Sequence, residues 1–366
     1  MFFKKYKEKI KKIENILKSM QEIDYDSSIL SLRDFITPPP FHSFDQINLI
    51  DKNNFLLFSY ESHLLKLNYI NLGDYIQTIA TKNALQNIFS NINFLFHDRD
   101  TLTSYYQKEK IITVIMQGWF SHSKYFIPNN NTLPVFVGTH FAPGIYNFMQ
   151  RFINFYPWFF KDKQIGCRDF ETLRFCQTMG LDSYLSRCLT LTLPKRDEDI
   201  VGDTIYFVGI SKDMLAYIPD KLKNSAEHIN QQEASFEVDG SLDWKNLYRK
   251  TEGLLQTYKN KAKLIVTSAL HCAAPCTAMG IPVVLIAKNQ ENINRFSAIK
   301  GIIPIYTYDD LISNRINFNP KSLNIEDLKQ YILQNLKLSI LKEMGEKIDE
   351  NELAQIRHNI QYYKAY

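Results

Sequence analysis

The segment "VTSALHCAAPCTAMGIPVVLI", residues 266–286, places a histidine where an apolar strand gives way to a helix of small residues. The side chain of His271 titrates near neutral pH, so it suits a general acid or base. Ala273 and Ala274 leave room for a ligand beside the ring. A lone histidine is more often a hydrogen-bonded core residue, but a position just past a strand end favours function. We therefore predict a catalytic role for His271.

The segment "QIGCRDFETLRF" places an arginine at a second strand-to-helix junction. There the guanidinium of Arg168 can grip a carboxylate or phosphate with two parallel hydrogen bonds. The alternative is a surface ion pair with Asp169 or Glu171, which contributes under about 1 kcal/mol. Both interpretations stay open, and its place at a strand's carboxyl end makes Arg168 a catalytic candidate.

Two further segments carry groups that suit a polyhydroxylated ligand. In "NLGDYIQTIA", Asp74 precedes a helix and Gln77 completes a capping box, so Asp74 is either a cap or an acceptor for a hydroxyl. In "IMQGWFSHSK", Trp119 follows a strand end, where the indole either stacks on a sugar or packs in the core. We predict Asn71, Asp74 and Trp119 as acceptor-binding residues.

Composition excludes several classes of protein. The chain has 366 residues, 45% apolar and 22% charged, as expected for a soluble protein of about two domains. A net charge of +4 is mild and does not indicate a nucleic-acid partner. No apolar run reaches the roughly 18 residues of a membrane span, and the first residues lack a signal-peptide pattern, so we expect a cytoplasmic protein.

The cysteines do not indicate a disulfide framework or a metal site. Five are present without a repeating spacing, which favours a reducing compartment. Cys272 and Cys276 lie beside His271, but no second ligand cluster with zinc-like spacing accompanies them. No acidic cluster is clearly placed to hold a divalent ion either, so we expect neither a metal nor a cofactor.

The first 20 residues predict an amphipathic helix. Its apolar stripe consists of Phe3, Tyr6, Ile10, Ile13 and Leu17. The helix packs on its own protein or on a second subunit, or it lies on an anionic membrane surface. Glutamates dilute its basic face, so packing is favoured. We keep a homo-oligomer and a peripheral contact with the inner face of the plasma membrane as its two expected roles.

The rest of the chain alternates short apolar runs with helical patterns. The strand candidates are Asn54–Ser59, Asn93–Phe96, Ile111–Met116, Val135–Thr139, Gln164–Cys167, Thr204–Gly209, Ala234–Val238, Leu264–Thr267, Val283–Ile286 and Ile302–Tyr306. The helix candidates include Tyr75–Phe89, Phe170–Met179, Trp244–Asn260 and Ala273–Met279. The pattern predicts an α/β protein with two Rossmann-like domains that face each other across a cleft, and with an extra N-terminal amphipathic helix. We place an N-terminal helix and linker at 1–40, the two domains at 41–200 and 201–330, and C-terminal helices at 331–366.

The same segments carry a family resemblance. "NLGDYIQ", "IGCRDFETL", "SRCLTLTLP" and "VTSALHCAAPCTAMGIPVVLI" occur in an order and spacing that resemble the polysaccharide pyruvyl transferase family. The resemblance implies a GT-B-like fold, with the acceptor side in the first domain and the donor side in the second. It implies transfer of the enolpyruvyl carbons of phosphoenolpyruvate onto two hydroxyls of a sugar, which forms a pyruvate ketal.

The resemblance also implies roles for individual residues. It makes His271 the acid/base group. The donor-site residues that it indicates are Ser268, Leu270 and Arg168. Ala269 stands where the family usually has an arginine, in the pattern Ser-Arg-Leu-His, and Arg187 stands where it usually has a glycine. Arg187 is therefore expected to supply the missing cation to the donor.

Three functions are compatible with these patterns. The first is pyruvyl transfer to a bacterial surface glycan or its lipid-linked precursor, in exopolysaccharide or capsule biosynthesis. The second is a GT-B glycosyltransferase with a nucleotide-sugar donor, because the Gly-Ile-Pro motif and the helix that follows His271 also resemble the donor half of that group. The third is a glycan-binding or assembly protein without catalysis. We predict the first, with the second as its alternative.

Overall fold

The computed structural model describes residues 48–62, 69–121, 123–234 and 244–366. The predicted N-terminal helix lies outside these residues, and so does the strand predicted at Ala234–Val238 beyond its first residue. The described strands are β1 (Ile50–Ser59), β2 (Tyr69–Asn71), β3 (Asn93–Asp98), β4 (Ile111–Ile115), β5 (Gly118–Phe120), β6 (Thr132–Val135), β7 (Thr139–Phe141), β8 (Ile165–Cys167), β9 (Ser183–Leu185), β10 (Thr204–Val208), β11 (Ala226–Ile229), β12 (Gln232–Ala234), β13 (Ala262–Thr267), β14 (Val283–Ala287) and β15 (Ile305–Thr307). The described α-helices are α1 (Leu72–Ile88), α2 (Tyr146–Phe155), α3 (Phe170–Thr178), α4 (Lys212–Leu215), α5 (Asp220–Lys223), α6 (Trp244–Lys261), α7 (Leu270–Ala278), α8 (Gln290–Phe296), α9 (Tyr308–Ile312), α10 (Glu326–Glu343) and α11 (Glu350–Tyr362).

The N-terminal half is built on parallel strands in two connected sheets. One sheet has the order β3-β1-β4-β6 and the other has the order β5-β7-β8-β9. Only two residues separate β5 from the end of β4, and three separate β7 from the end of β6, so the second sheet extends two strands of the first. Every residue of β4 is buried, which explains why its sequence is an unbroken apolar run without alternation.

The C-terminal half is one five-stranded parallel sheet with the order β11-β10-β13-β14-β15. The strand order reverses between β10 and β13, and a reversal of this kind leaves a crevice at the carboxyl ends of the two strands. Val208 and Thr267 end these strands. Parallel α/β sheets in both halves confirm the predicted fold class. The domain bounds remain predictions.

The two halves are joined by backbone pairing beside the crevice. β2 from the N-terminal half pairs antiparallel with β12 from the C-terminal half, and the amide of Leu72 donates to the carbonyl of Gln231 over 2.8 Å. The rings of Phe96 and Trp244 stack across the same junction with centroids 4.3 Å apart. These contacts fix the distance between the loops that face each other across the crevice.

The C-terminal helices pack against the N-terminal half and then return to the other half. α10 contacts β6, and α11 contacts β9. Past α11, the amide of Ala365 donates to the carbonyl of Gly301 over 2.8 Å. The segment therefore ties the halves together on a second side. Within the described ranges, no helix is long and apolar enough to cross a membrane.

Two local predictions are wrong. The N-cap of α1 is Asn71, whose side chain accepts from the amide of Gly73 at 3.0 Å. Asp74 therefore lies inside the first turn of α1, where Gln77 Nε2 donates to its Oδ1 over 3.1 Å. The single strand predicted at Val135–Thr139 is split between β6 and β7. Gly138 lies at the break with φ +73°, and a Cβ there would lie 2.6 Å from Gln117 Oε1, so only glycine fits.

Candidate active site

A cavity of about 260 Å³ lies between the two halves, at the strand reversal of the C-terminal sheet. Its wall includes Val208, which ends β10, and Gly209, which follows it, together with Ser268 to His271 after β13. The N-terminal half contributes Asn71 and Trp119. This is the place where open α/β sheets bind their ligands.

The loop that carries His271 is held by side-chain hydrogen bonds to the backbone. Thr267 Oγ1 donates to the carbonyl of Val208 over 2.9 Å and accepts from the amide of Ala269 at 3.0 Å. Ser268 Oγ donates to the carbonyl of Gly209. The loop after β13 is thus pinned to the loop after β10. Small side chains are needed here because β13 ends and α7 begins within four residues, next to the end of β10.

Close packing against the other half fixes the His271 ring. A Cβ on Gly73 would lie 3.0 Å from His271 Cβ and 3.1 Å from its Nδ1. Glycine at the start of α1 therefore lets the N-terminal half approach the histidine directly. The ring is only 5% exposed, and its Nε2 has no hydrogen-bond partner in the described part of the chain.

Burial and nearby cations keep His271 uncharged. Burial lowers the pKa of the imidazole well below its ordinary value of 6.5, and the charges of Arg168 and Arg295 lower it further. The ring is neutral at pH 7, so in the free protein it is a proton acceptor. An anion bound between the guanidiniums would offset their charges and raise this pKa.

Arg168 is completely buried. Its Nε lies 3.3 Å from Asp169 Oδ2, whereas Nη1 and Nη2 have no hydrogen-bond partner among the described residues. The ion pair with Asp169 therefore exists, but it is buried rather than at the surface. Because an unsatisfied buried donor costs about 1–3 kcal/mol, and more for a charged group, these two donors are suited to bind an anion.

Asp169 anchors Arg168 from behind. It caps α3 by accepting from the amide of Thr172 at 3.0 Å, and it accepts from His140 Nδ1 at 2.6 Å. Burial lowers the pKa of His140 to about 4, so its ring is neutral at pH 7 and donates its Nδ1–H. Burial alone raises the pKa of Asp169, but His140, Arg168 and the Thr172 amide together hold it well below its usual range. Asp169 stays ionised and fixes the guanidinium of Arg168.

Arg295 on α8 is a cavity residue that sequence reasoning missed. Its guanidinium lies 4.7 Å from the centroid of the Trp119 ring, and its buried Nε has no hydrogen-bond partner within the described ranges. Burial, followed by the charge of Arg168, lowers its pKa. Lys288, at the carboxyl end of β14, lines the same cavity. The one signal for either residue was that β14 is a buried parallel strand that ends just before them.

The structure brings most of the predicted site residues together, but not all of them. The predicted residues that line the cavity are Asn71, Trp119, Ser268, Leu270 and His271. Two predicted residues are buried and do not line the cavity: Arg168 is completely buried, and Asp74 is 1% exposed inside α1. Arg187 lies elsewhere, at φ +59°. It donates to the carbonyls of Ile360, Ala298 and Lys300, so it ties α11 to the C-terminal half instead of facing the cavity.

No metal-like cluster appears in the described ranges: no three or more His, Cys, Asp or Glu side chains are arranged to hold an ion. All five cysteines are buried free thiols. Cys272 and Cys276 lie in α7, behind the cavity wall.

Comparison with known proteins identifies the family. No curated protein matches the chain. The family model of polysaccharide pyruvyl transferase matches residues 71–289, which is more than half of the 366 residues. The matched span begins at the cap of α1, includes Arg168 and His271, and ends just after β14. The chain therefore belongs to the polysaccharide pyruvyl transferase family.

Proposed function

We propose that the protein transfers the pyruvyl group of phosphoenolpyruvate onto two hydroxyls of a sugar and releases inorganic phosphate. The observation that carries this proposal is that Nη1 and Nη2 of Arg168 and Nε2 of His271 are all buried and unpartnered, with Arg168 close enough for its charge to act on His271. One group suits an anionic donor and the other suits proton transfer. Membership of the family implies a transferase and supports this choice of reaction.

The charges around the cavity suit this donor. Phosphoenolpyruvate carries a phosphate and a carboxylate on adjacent groups, and guanidiniums bind both in bidentate fashion. Arg295 and Lys288 from the C-terminal half line the cavity. Arg168 from the N-terminal half is fully buried and lies close enough for its charge to lower the pKa of His271. The start of α7 adds free backbone N–H groups, because its N-cap Ala269 has no capping side chain.

The proton transfers balance with one histidine. The first sugar hydroxyl adds to C2 of the donor while the methylene carbon C3 gains a proton and becomes a methyl group. Neutral His271 accepts the hydroxyl proton at Nε2 and delivers a proton to C3. The second hydroxyl then displaces phosphate from C2, and its proton leaves with the phosphate as HPO₄²⁻. The donor's three negative charges end as one on the ketal carboxylate and two on phosphate.

The acceptor in this proposal is a sugar of a bacterial surface glycan or of its lipid-linked precursor. Asn71 and Trp119 on the N-terminal wall are its proposed contacts, since an amide and an indole suit a sugar's hydroxyls and ring face. Asp74 is no longer proposed as a contact because it does not line the cavity. The reaction needs no cofactor besides the donor, and it is placed on the cytoplasmic side of the membrane, where phosphoenolpyruvate is made.

A ligand panel tests the proposal. Phosphoenolpyruvate, UDP-sugars and CMP-sugars are each added to the protein, and the midpoint of thermal unfolding is measured. At 100 times its Kd, a ligand of the native state stabilises by about 2.7 kcal/mol, so phosphoenolpyruvate is expected to raise the midpoint by several degrees. Phosphate release and a new ketal methyl signal with sugar acceptors complete the test, with and without EDTA. A shift with UDP-sugars alone would instead support the glycosyltransferase alternative.

A further inference from the structure

We propose that Arg295 is the second anion-binding arginine of this site and that it takes over, from a different element, the charge that position 269 lacks. The identity of the donor rests on the proposed function, whereas the anion site itself rests on the geometry of Arg168, Arg295 and the cavity. Nothing in the matched family span assigns Arg295, because that span ends at residue 289.

The position of Arg295 is unusual for a residue that serves stability alone. It belongs to α8 of the C-terminal half, yet it stacks on Trp119 of β5 in the N-terminal half, 4.7 Å from the ring centroid. Stacking leaves the in-plane N–H groups of a guanidinium available to other partners. The Nε of Arg295 is buried and unpartnered, so one such group has no acceptor among the described protein atoms.

The carboxylates near Arg295 do not account for its charge. Glu291, Asp169 and Asp74 act on it only at a distance. Glu291 is exposed on the surface. Asp169 is engaged by His140 and Thr172, and Asp74 accepts from Gln77. Meanwhile Arg168 and Arg295 oppose each other with like charge. A dianion bound next to both offsets this repulsion and can accept from their unpartnered N–H groups. This explains two incompletely paired guanidiniums, one in the cavity wall and one buried near it.

Position 269 faces the same cavity. Ala269 lines it together with Arg295, and its methyl group leaves open the space that a longer side chain would fill. Both positions line the same cavity, but on different elements. The chain therefore retains two cations for a dianion, one from each half, and the dianion holds the halves together.

A swap of the arginine between the two positions tests this proposal. The variants are R295A, R295K, A269R/R295A and, as a matched control, R315A. Arg315 is an exposed arginine of the same half, paired with Asp310 at 2.8 Å. Calorimetry measures the Kd of each variant for phosphoenolpyruvate and for inorganic phosphate, and thermal unfolding confirms that each is folded.

The expected results are specific. R295A weakens binding of both probes by about 10- to 150-fold, the loss expected for one charged hydrogen-bond partner. R295K recovers only part of the affinity, A269R/R295A binds at least tenfold more tightly than R295A, and R315A binds like the wild type. A folded R295A with wild-type affinity overturns the proposal, and so does a double variant that binds no better than R295A.

The two probes separate this inference from the proposed function. Wild-type protein that binds phosphate through Arg295 but not phosphoenolpyruvate supports the anion site and overturns the donor assignment. R295A protein that binds both probes as tightly as the wild type leaves the donor assignment standing and overturns the role of Arg295. Wild-type protein that binds neither probe overturns both.

Discussion

Replacement of His271 by asparagine separates catalysis from stability more sharply than any other change in the cavity. Histidine Nε2 makes no hydrogen bond to the described residues, so the change removes no such bond there. The ring borders a cavity of about 260 Å³, so a smaller side chain enlarges existing space instead of opening a hole in the core. We expect the free energy of unfolding to change by less than about 1 kcal/mol, against about 1–3 kcal/mol for a core histidine.

The rate is expected to fall far more than the stability. Loss of a positioned acid/base group slows a reaction by about 10²–10⁴-fold, which equals about 2.7–5.5 kcal/mol on the barrier. The assay follows phosphate release from phosphoenolpyruvate in the presence of a sugar acceptor. The matched control is H358N, since His358 is exposed on α11 and its ring contacts only the Tyr362 ring at 4.6 Å among the described aromatic pairs.

The pH dependence gives a second readout with a defined sign. The pKa of His271 is lowered by folding, so the folded state binds fewer protons than the unfolded chain below about pH 6.5. Stability from this group is complete above pH 6.5 and is lost as the pH falls towards the folded pKa. H271N is therefore expected to lose less stability than the wild type between pH 7.5 and pH 5. The acidic limb of its kcat/KM profile is expected to disappear as well.

Two outcomes would refute this account. One is a stable H271N protein whose turnover stays within tenfold of the wild type. The other is a destabilised H271N protein that is fully active per folded molecule, because this would show that the ring serves packing.

Three further changes test the rest of the site and chain. R168K is expected to keep the fold but to lose most activity, because an ammonium cannot reproduce the two-point grip of a guanidinium; near-native turnover would place Arg168 outside the reaction. G73A puts a Cβ 3.0 Å from His271 Cβ, so kcat should fall about tenfold or more, with a loss of stability of about 1 kcal/mol. The control is G253A in α6, where a Cβ meets nothing within 4 Å, and this change should stabilise the protein by about 0.4–1 kcal/mol. Equal effects of the two changes on kcat would contradict the close approach of Gly73 to His271. Deletion of residues 1–20, which lie outside the described ranges, is expected to leave a folded protein with weaker self-association or weaker vesicle binding, measured by size-exclusion chromatography and vesicle flotation; an insoluble product would assign the helix to the core.

Much of the fold was predictable from local pattern. β4 and β14 are runs of buried apolar residues, and β1, β10 and β13 each contain such a run. Runs of this kind between helical segments are typical of parallel strands. β11 was missed because it is an edge strand whose residues are all half-buried or exposed, so its sequence lacks the apolar signal. The extent of α1 was misjudged because two residues can each cap a helix, and local sequence does not decide which one does.

For the candidate site, too, local sequence predicted some features and not others. The sequence by itself determined that His271, Ser268 and Leu270 lie at a strand end, because a buried strand, a turn and a helix of small residues follow one another within a few positions. Only the tertiary structure decided which arginine faces them. Local sequence does not distinguish the roles of Arg187 and Arg295. In the structure, Arg187 donates to a backbone carbonyl of α11, whereas the packing of Arg295 on Trp119 places it in the cavity wall. The physical reason is that a charge acts through distance and burial, and both are set by how the two halves dock rather than by spacing along the chain.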